Sequence, residues 1–364
     1  MGVAVLMRVL VVNAGSSSLK LGVVDGDGAV LASESLAARG GHWDPRELGR
    51  VLDGVPEVDA VGHRVVHGGD EFVDPVRLDA SVVERLRAWG SLAPLHQPKA
   101  LEAIEAVGRA LPGCAAVACF DTAFHADLPE VASAYAVPER WRREWGVRRY
   151  GFHGLSHAYV SRRAVELTGG ERVVSAHLGS GASLAAVSGG RCVDTTMGFT
   201  PLEGVVMATR SGSVDPGLVV WLVRHGGLSV EEVERGLERE SGLLGLAGTE
   251  DMREVLERDD ARARLALGVY VHRLCAGVAS MAAALGGVDT LVFTGGVGEA
   301  AAPVRERVAR GLGFLGVGVD GAVNAAVEGE AEVTGAGARV RTLVVPSRED
   351  VEIAAGVRRV LGGG

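Results

Sequence analysis

Short apolar blocks open the chain at 8–13, 18–24 and 29–34, each cut off by a polar or glycine-rich break. Blocks of this length bounded by Gly, Ser and Asp predict three β-strands joined by tight turns, and DGDG at 25–28 is a sequence that hairpin turns favour. Helical spacing of apolar residues follows at 79–90 and 98–111, then a buried strand in CAAVACFDT. The Trp- and Arg-rich stretch WRREWGVRRYGFHG reads as a loop. The longest apolar segment, Leu265 to Leu285, carries His272 and Arg273 near its middle and stops at Gly286-Gly287. That pattern predicts a core helix rather than a membrane span.

The opening pattern returns. RVVSAHLGSGASLAAVSGGRCVDT has an apolar run, a Gly/Ser tip at 179–183, a returning apolar run, an SGG turn and a further strand. One polar residue interrupts the first run of each copy, Asn13 and His177, 164 residues apart. Self-similarity on this scale predicts two related α/β domains, each beginning with a hairpin whose tip faces a shared cleft. A third glycine-rich segment, TLVFTGGVGEAAAPVRERVARGLG, predicts a strand ending at Thr294, a loop over Gly295–Gly298 and a helix after it.

Composition narrows the class. A chain of 364 residues with 47% hydrophobic content is long enough for two packed domains. Its net charge of −9 argues against nucleic-acid or anionic-membrane binding. Cys114, Cys119, Cys192 and Cys275 form no C-x-x-C pair and are expected to be buried thiols in a reducing compartment. The apolar start lacks a basic region and a cleavage site, so no signal peptide is expected.

The Gly/Ser tips suggest phosphate chemistry. Glycine allows close backbone approach, successive N–H groups form an anion nest, and serine hydroxyls with Lys20 add donors and charge. Asn13 is placed to bond a phosphate oxygen or a metal-bound water. Neither a G-x-x-x-x-G-K-[ST] loop nor the protein-kinase glycine loop occurs. Gly296–Ala301 fits G-x-G-x-x-A, with Asp320 further on, which keeps a dinucleotide-binding enzyme as an alternative. Arg64 and Arg210 lie in Gly-rich segments with few acidic neighbours in sequence and suit planar oxyanions. Asp121 ends a strand, where α/β ligands usually bind. The pairs His63/His67, Asp121/His125 and His153/His157 lack the glutamate of a zinc helix, and their histidines are assigned to hydrogen bonding of oxyanions.

Eight segments in order resemble the motifs of acetate kinases: VLVVNAGSSSLK, GHRVVHGGD, LAPLHQPK, FDTAFH, RRYGFHGLSH, HLGSGAS, DTTMGFTPLEGVVMATRSGSVDPG and FTGGVGE. The resemblance implies an α/β fold of two duplicated ribonuclease-H-like (actin-like ATPase) domains around a central cleft. One comprises residues 1–122 plus 350–364, and the other, nucleotide-binding, 123–349. It also implies a cytoplasmic homodimer, dependent on Mg²⁺ with Mn²⁺ as second candidate, that reversibly transfers the γ-phosphoryl group of ATP to acetate. ADP and acetyl phosphate are the implied products.

Residue by residue, Asn13 and Glu349 resemble the metal-associated pair and Lys20 an ATP-phosphate contact. Arg64 resembles the carboxylate-binding arginine, and Val66, Leu95, Phe152 and Pro201 the methyl pocket. Asp121 resembles the catalytic acid; His153 and Arg210 resemble the transition-state stabilisers. The phosphate loop corresponds to His177, Leu178, Gly179, Ser180 and Gly181. The nucleoside segments correspond to Asp251, Met252 and Arg253 and to Gly296, Val297, Gly298, Glu299 and Ala300. Ser180 and Ala300 stand where the family usually has Asn, and Ala208 where it has Gly. PSRED at 346–350 replaces Pro-Thr-Asn-Glu-Glu, which leaves Glu349 and Asp350 as alternatives for the metal position.

Acetate is ionised at neutral pH and needs no general base, so Asp121 is expected to orient an arginine or a metal-bound water. Two alternatives stay open: a kinase for another short carboxylate such as propionate, and a nucleotide-dependent assembly protein of the actin/Hsp70 type.

Overall fold

The computed structural model describes residues 7–15, 18–37, 43–93 and 96–362. Leu95, and Ser16 and Ser17 at the first hairpin tip, lie outside the described residues. Strands β1 (Val9–Ala14), β2 (Ser18–Val24), β3 (Val30–Ala37), β4 (Ala60–Val65), β5 (Val76–Arg77) and β6 (Ala115–Phe120) form a sheet ordered β3-β2-β1-β4-β6-β5. Strands β7 (Arg172–Leu178), β8 (Ala182–Ser188), β9 (Arg191–Thr195), β10 (Thr290–Thr294), β11 (Ala331–Glu332) and β12 (Arg341–Val344) form another, ordered β9-β8-β7-β10-β12-β11.

The second sheet repeats the first strand by strand. In each, three antiparallel strands lead into two parallel ones, and a two-residue antiparallel strand closes the far edge. Asn13 and His177 occupy the same place, next to last in the first strand of their sheets. The chain is thus a mixed α/β protein built from a duplicated actin-like ATPase domain. Two compact units result: residues 1–126 with 152–159 and 348–364, and residues 127–151 with 160–347. Phe152 and His153 therefore belong to the first unit.

Strand alternation sorts the core of the first unit. From β1, Leu10, Val12 and Ala14 pack with Leu48, Leu52, Ala103 and Val107. Val9 and Val11 face the other way and meet Ile353, Ala354 and Val357 of the final helix, Glu349–Gly362. That helix lies against β4 at Gly62, where a Cβ would stand 2.5 Å from Ile353 Cγ2 and 2.8 Å from Val357 Cγ2. The contact fixes the helix start, and with it Glu349.

In the second unit the helix Ala261–Ala284 is long and apolar enough to cross a membrane by length and composition. Its buried residues, among them Ala263, Leu267, Tyr270, Leu274, Val278 and Met281, form one helical stripe. The helix packs against β8, with Gly277 leaving no room for a Cβ beside Leu184. It serves as a core helix, as expected from the sequence.

Two local expectations fail. The stretch expected as a Trp/Arg-rich loop begins inside the helix Glu139–Trp145, which Pro138 precedes and left-handed Gly146 ends. The expected loop over Gly295–Gly298 is already helical, since the helix Gly295–Ala300 follows β10 directly. A single residue, Gly295 at φ 77°, makes the turn, and the Glu299 carboxylate accepts its N–H at 2.9 Å.

Candidate active site

Parallel pairing of β1, β4 and β6 brings their carboxyl ends to one edge of the first sheet, where an open α/β sheet holds its ligands. Asn13, Arg64 and Asp121 stand at those ends. Arg64 Nη2 lies 2.6 Å from Asp121 Oδ2, and Nε donates to Oδ1 at 3.0 Å. Arg64 Nη1 donates to Asn13 Oδ1 at 3.0 Å, and Asn13 Nδ2 donates to Glu349 Oε2 at 2.9 Å. Glu349 Oε2 is also 3.5 Å from Arg64 Nη1. The acidic partners that Arg64 lacks in sequence are supplied by the fold.

The Arg64 charge is strongly held. Burial opposes the Arg64 charge, but Asp121 and Glu349 outweigh it and raise the pKa above the usual guanidinium value. Burial pushes the Asp121 carboxyl up, against the pull of Arg64. Asp350, the sequence alternative to Glu349, pairs instead with Arg348 at 2.9 Å. The structure therefore brings Glu349, and not Asp350, to Asn13. Lys20 pairs with Asn13 across the β1–β2 ladder and is exposed.

Phe152 and His153 are carried to the same region by backbone bonds. The Gly154 N–H donates to the Asp121 carbonyl at 2.9 Å, and a Cβ at Gly154 would collide with that oxygen. His125 Nε2 bonds the Phe152 carbonyl at 3.0 Å. Between them His153 adopts φ 56°, the one non-glycine residue with positive φ among the described residues. Such strain persists where the surroundings impose it. Val66 and Phe152 are buried apolar groups, with Phe152 edge-on to His67 at 5.4 Å.

The histidines assigned to oxyanions need correcting. His63, His67, His125 and His157 are core residues with at most 2% exposure. Burial drags His63 down to about 3 and His125 to about 4, so both are neutral at physiological pH. His153 is the half-buried member of the set.

In the second unit the loop Gly179–Gly181 is closed by the Gly179 N–H on the Gly181 carbonyl, 2.9 Å. It follows His177 and Leu178 at the end of β7. The Ser180 carbonyl accepts the Ala208 N–H at 3.1 Å, so two residues that depart from the usual motifs touch each other. Gly295 sits over the same strand end, where a Cβ would stand 2.8 Å from the Leu178 carbonyl oxygen. This brings Gly296, Val297, Gly298, Glu299 and Ala300 beside the loop. Glu299 Oε1 is engaged by the N–H groups of Gly295 and Ser347, at 2.9 and 3.0 Å. Asp251 caps the helix Met252–Glu257 and pairs with the Arg253 side chain at 2.5 Å, while Met252 is buried.

Arg210 is nearly buried, yet Nη1 donates to a neutral acceptor, the Pro201 carbonyl, at 2.7 Å. Its acidic partner, Glu238, stands 3.9 Å away. Burial lowers the Arg210 pKa, with Glu238 opposing. A desolvated guanidinium with so little anionic compensation favours an incoming oxyanion. Asp320, the ribose ligand of the dinucleotide alternative, caps the helix Gly321–Ala325 through Ala322 and Val323. That removes the support for a dehydrogenase.

The donors suit a hard divalent ion. Asn13, Asp121 and Glu349 offer oxygen atoms only. No group of three or more His, Cys, Asp or Glu side chains among the described residues is arranged to cage a metal. A few oxygen ligands completed by water and phosphate match the habit of hard divalent ions that bind through phosphates.

Residues 47–355 match the model of the acetokinase family. The chain belongs to the acetokinase family. It is 46% identical to an acetate kinase of Deinococcus radiodurans, over 98% of this chain and 99% of that one. It is 44% identical to an acetate kinase of Streptomyces coelicolor, over 95% of each. Among solved structures, a propionate kinase from Francisella tularensis superposes with TM-score 0.90 at 33% identity, covering 98% of this chain and all of that one. Porphyromonas gingivalis acetate kinase gives 0.88 at 37% identity, with the same coverage. The chain is thus a kinase acting on a carboxylate, which places ATP or ADP and a divalent metal ion among its requirements. The assembly-protein alternative falls away.

Three residues near Arg210 were not singled out from the sequence. Tyr135, Arg149 and Glu203 hold the loop that carries Pro201. Arg149 and Glu203 lie within the quoted segments RRYGFHGLSH and TPLEG, but nothing in either segment names the other as its partner.

Proposed function

We propose that this chain phosphorylates acetate, transferring the γ-phosphoryl group of ATP directly to a carboxylate oxygen with release of ADP, in a reversible reaction. The observation that carries this is the bonded cluster of Asn13, Arg64, Asp121 and Glu349 at the carboxyl ends of three adjacent strands. Of the five N–H groups of Arg64, Asp121 and Asn13 take three, which leaves donors for a substrate carboxylate. Asp121 fixes the plane of the guanidinium and takes no proton, since acetate arrives ionised. Arg210 and His153 neutralise the oxygens of the moving phosphoryl group, where positioning and charge dominate catalysis. Lys20, His177 and the Gly179–Gly181 loop hold nucleotide phosphates. Asp251–Arg253 and Gly296–Ala300 line the nucleoside. Asn13 and Glu349 hold the ion, Mg²⁺ with Mn²⁺ as substitute. When bound, it supplies positive charge to the phosphate oxygens.

Val66, Leu95, Phe152 and Pro201 receive the methyl group. One methylene is worth ~1–3 kcal/mol in such a setting, so propionate is a poorer substrate and not an excluded one. The higher identity to named acetate kinases supports acetate. Trapping acyl phosphate with hydroxylamine, using ATP, Mg²⁺ and a series of carboxylates, tests the proposal. Acetate should give the highest kcat/KM, and absence of hydroxamate from every carboxylate would refute it.

We also infer a homodimer working in the cytoplasm. All four cysteines are free thiols. The helix Pro216–Arg224 buries none of its residues and exposes Leu218, Val220, Trp221 and Val223, an apolar surface that a second copy would cover. Light scattering that finds a monomer at assay concentration would remove the dimer.

A further inference from the structure

We propose that Glu203, with Arg149 and Tyr135, is a positioning residue for Arg210. This rests on the phosphoryl-transfer role proposed above for Arg210. Arg210 Nη1 is held by the Pro201 carbonyl at 2.7 Å, so the loop that carries Pro201 sets where the guanidinium lies. A fork of side chains grips that loop at both ends. Arg149 Nη1 donates to the carbonyls of Thr196 and Met197 at 3.1 and 3.0 Å, and its Nη2 donates to Glu203 Oε1 at 2.9 Å. One guanidinium therefore ties the start of the loop to its end.

Tyr135 completes the grip. Its hydroxyl donates to Glu203 Oε2 and accepts the Phe199 N–H at 3.0 Å, while Arg149 stacks over its ring at 5.5 Å. Gly198 admits this packing because any Cβ there would strike both Glu203 and the Tyr135 hydroxyl. The Gly198 carbonyl in turn accepts the Tyr150 N–H at 3.0 Å. The backbone just before Phe152 is thus fastened to the same loop. Among the described residues Glu203 is the one side chain bonded to both Tyr135 and Arg149, and its removal frees the end of the loop that carries it from both.

A double-mutant cycle with Arg210 tests this, since residues that act through one another are not additive. Glu203→Ala should lower kcat by about 100-fold, the scale of a displacement near 1 Å in a reacting group, with the ATP KM within about two-fold of the parent. In an Arg210→Ala background the same substitution should cost less than about two-fold. A full penalty in that background would overturn the proposal and leave the role of Arg210 intact, as would a Glu203→Ala enzyme with parental kcat. Arg210→Ala turning over like the parent would instead refute the functional assignment of Arg210, and this proposal with it. If Glu203→Ala does not fold, Tyr135→Phe and Glu203→Gln enter the same cycle. Tyr135→Phe removes one hydroxyl, and Glu203→Gln keeps the shape; each should show the same dependence on Arg210.

Discussion

Arg64 and Asp121 meet in a two-point ion pair, Nη2 2.6 Å from Oδ2 and Nε 3.0 Å from Oδ1. Planar pairing of this kind fixes orientation as well as charge. If Arg64 binds the substrate carboxylate, Arg64→Ala loses a charged hydrogen bond worth ~1.5–3 kcal/mol. The acetate KM should then rise by about 10- to 150-fold, with the ATP KM within about two-fold of the parent. Steady-state kinetics with each substrate varied will check this, and an unchanged acetate KM would contradict the role.

Arg210 has a neutral carbonyl as its close partner and an acid only at 3.9 Å. Its compensating charge is expected to come from the transition state. Arg210→Ala should lower kcat on the order of 10³-fold with modest KM changes. Near-parental turnover would end the assignment.

Glu349 bonds Asn13, whereas Asp350 is tied to Arg348. Glu349→Gln should raise the Mg²⁺ concentration needed for half-maximal activity by about 10-fold or more, the scale seen when a metal environment loses a carboxylate partner. Asp350→Asn should leave that titration unchanged. Equal shifts in both variants would assign the metal role wrongly.

His153 holds φ 56°. A left-handed backbone costs an ordinary L-residue about 1–2 kcal/mol, and glycine avoids that cost. Glycine gives back part of the gain through greater freedom when unfolded. His153→Gly should therefore be more stable than His153→Ala by about 1 kcal/mol in urea unfolding, while both lose kcat alike. Equal stability would show that the backbone relaxes without the imidazole.

Burial lowers the His125 pKa from 6.5 to about 4. Below pH 6.5 the unfolded chain binds a proton that the folded chain refuses. Stability is full above pH 6.5 and is lost as pH falls from 6.5 towards about 4, by about 3 kcal/mol in total from this group. Urea midpoints measured between pH 7.5 and 5 should fall accordingly. His125→Gln, which keeps a donor for the Phe152 carbonyl, should have a flatter acid limb. A parallel limb in the variant would exclude His125 as a contributor.

Much of the architecture was legible in the sequence because its signals are local. The β1–β2 hairpin, the helices near 79–90 and 98–111, and the correspondence of Asn13 with His177 follow from apolar period and turn chemistry. The duplication needed only two copies of one pattern. What escaped depends on distance in space. Two-residue edge strands such as β5 are too short to show a period, and Gly295–Gly298 read as a loop because one left-handed glycine can make the whole turn. The core positions of His63 and His125 follow from neighbours far along the chain, as does the pairing of Arg149 with Glu203. A polar side chain carries no mark of whether its partner is water, substrate or another residue.

The packing of the final helix on Gly62 bears on how the protein is made. Residues 348–364 complete the first unit, yet they are synthesised after everything in the second. During translation the second sheet can assemble while one face of the first still waits, uncovered, for Ile353 and Val357. The usual order, in which the amino-terminal domain matures first, cannot run to completion before this helix is made. Because Glu349 arrives with the same helix, its bond to Asn13 forms only after the whole second unit has been synthesised.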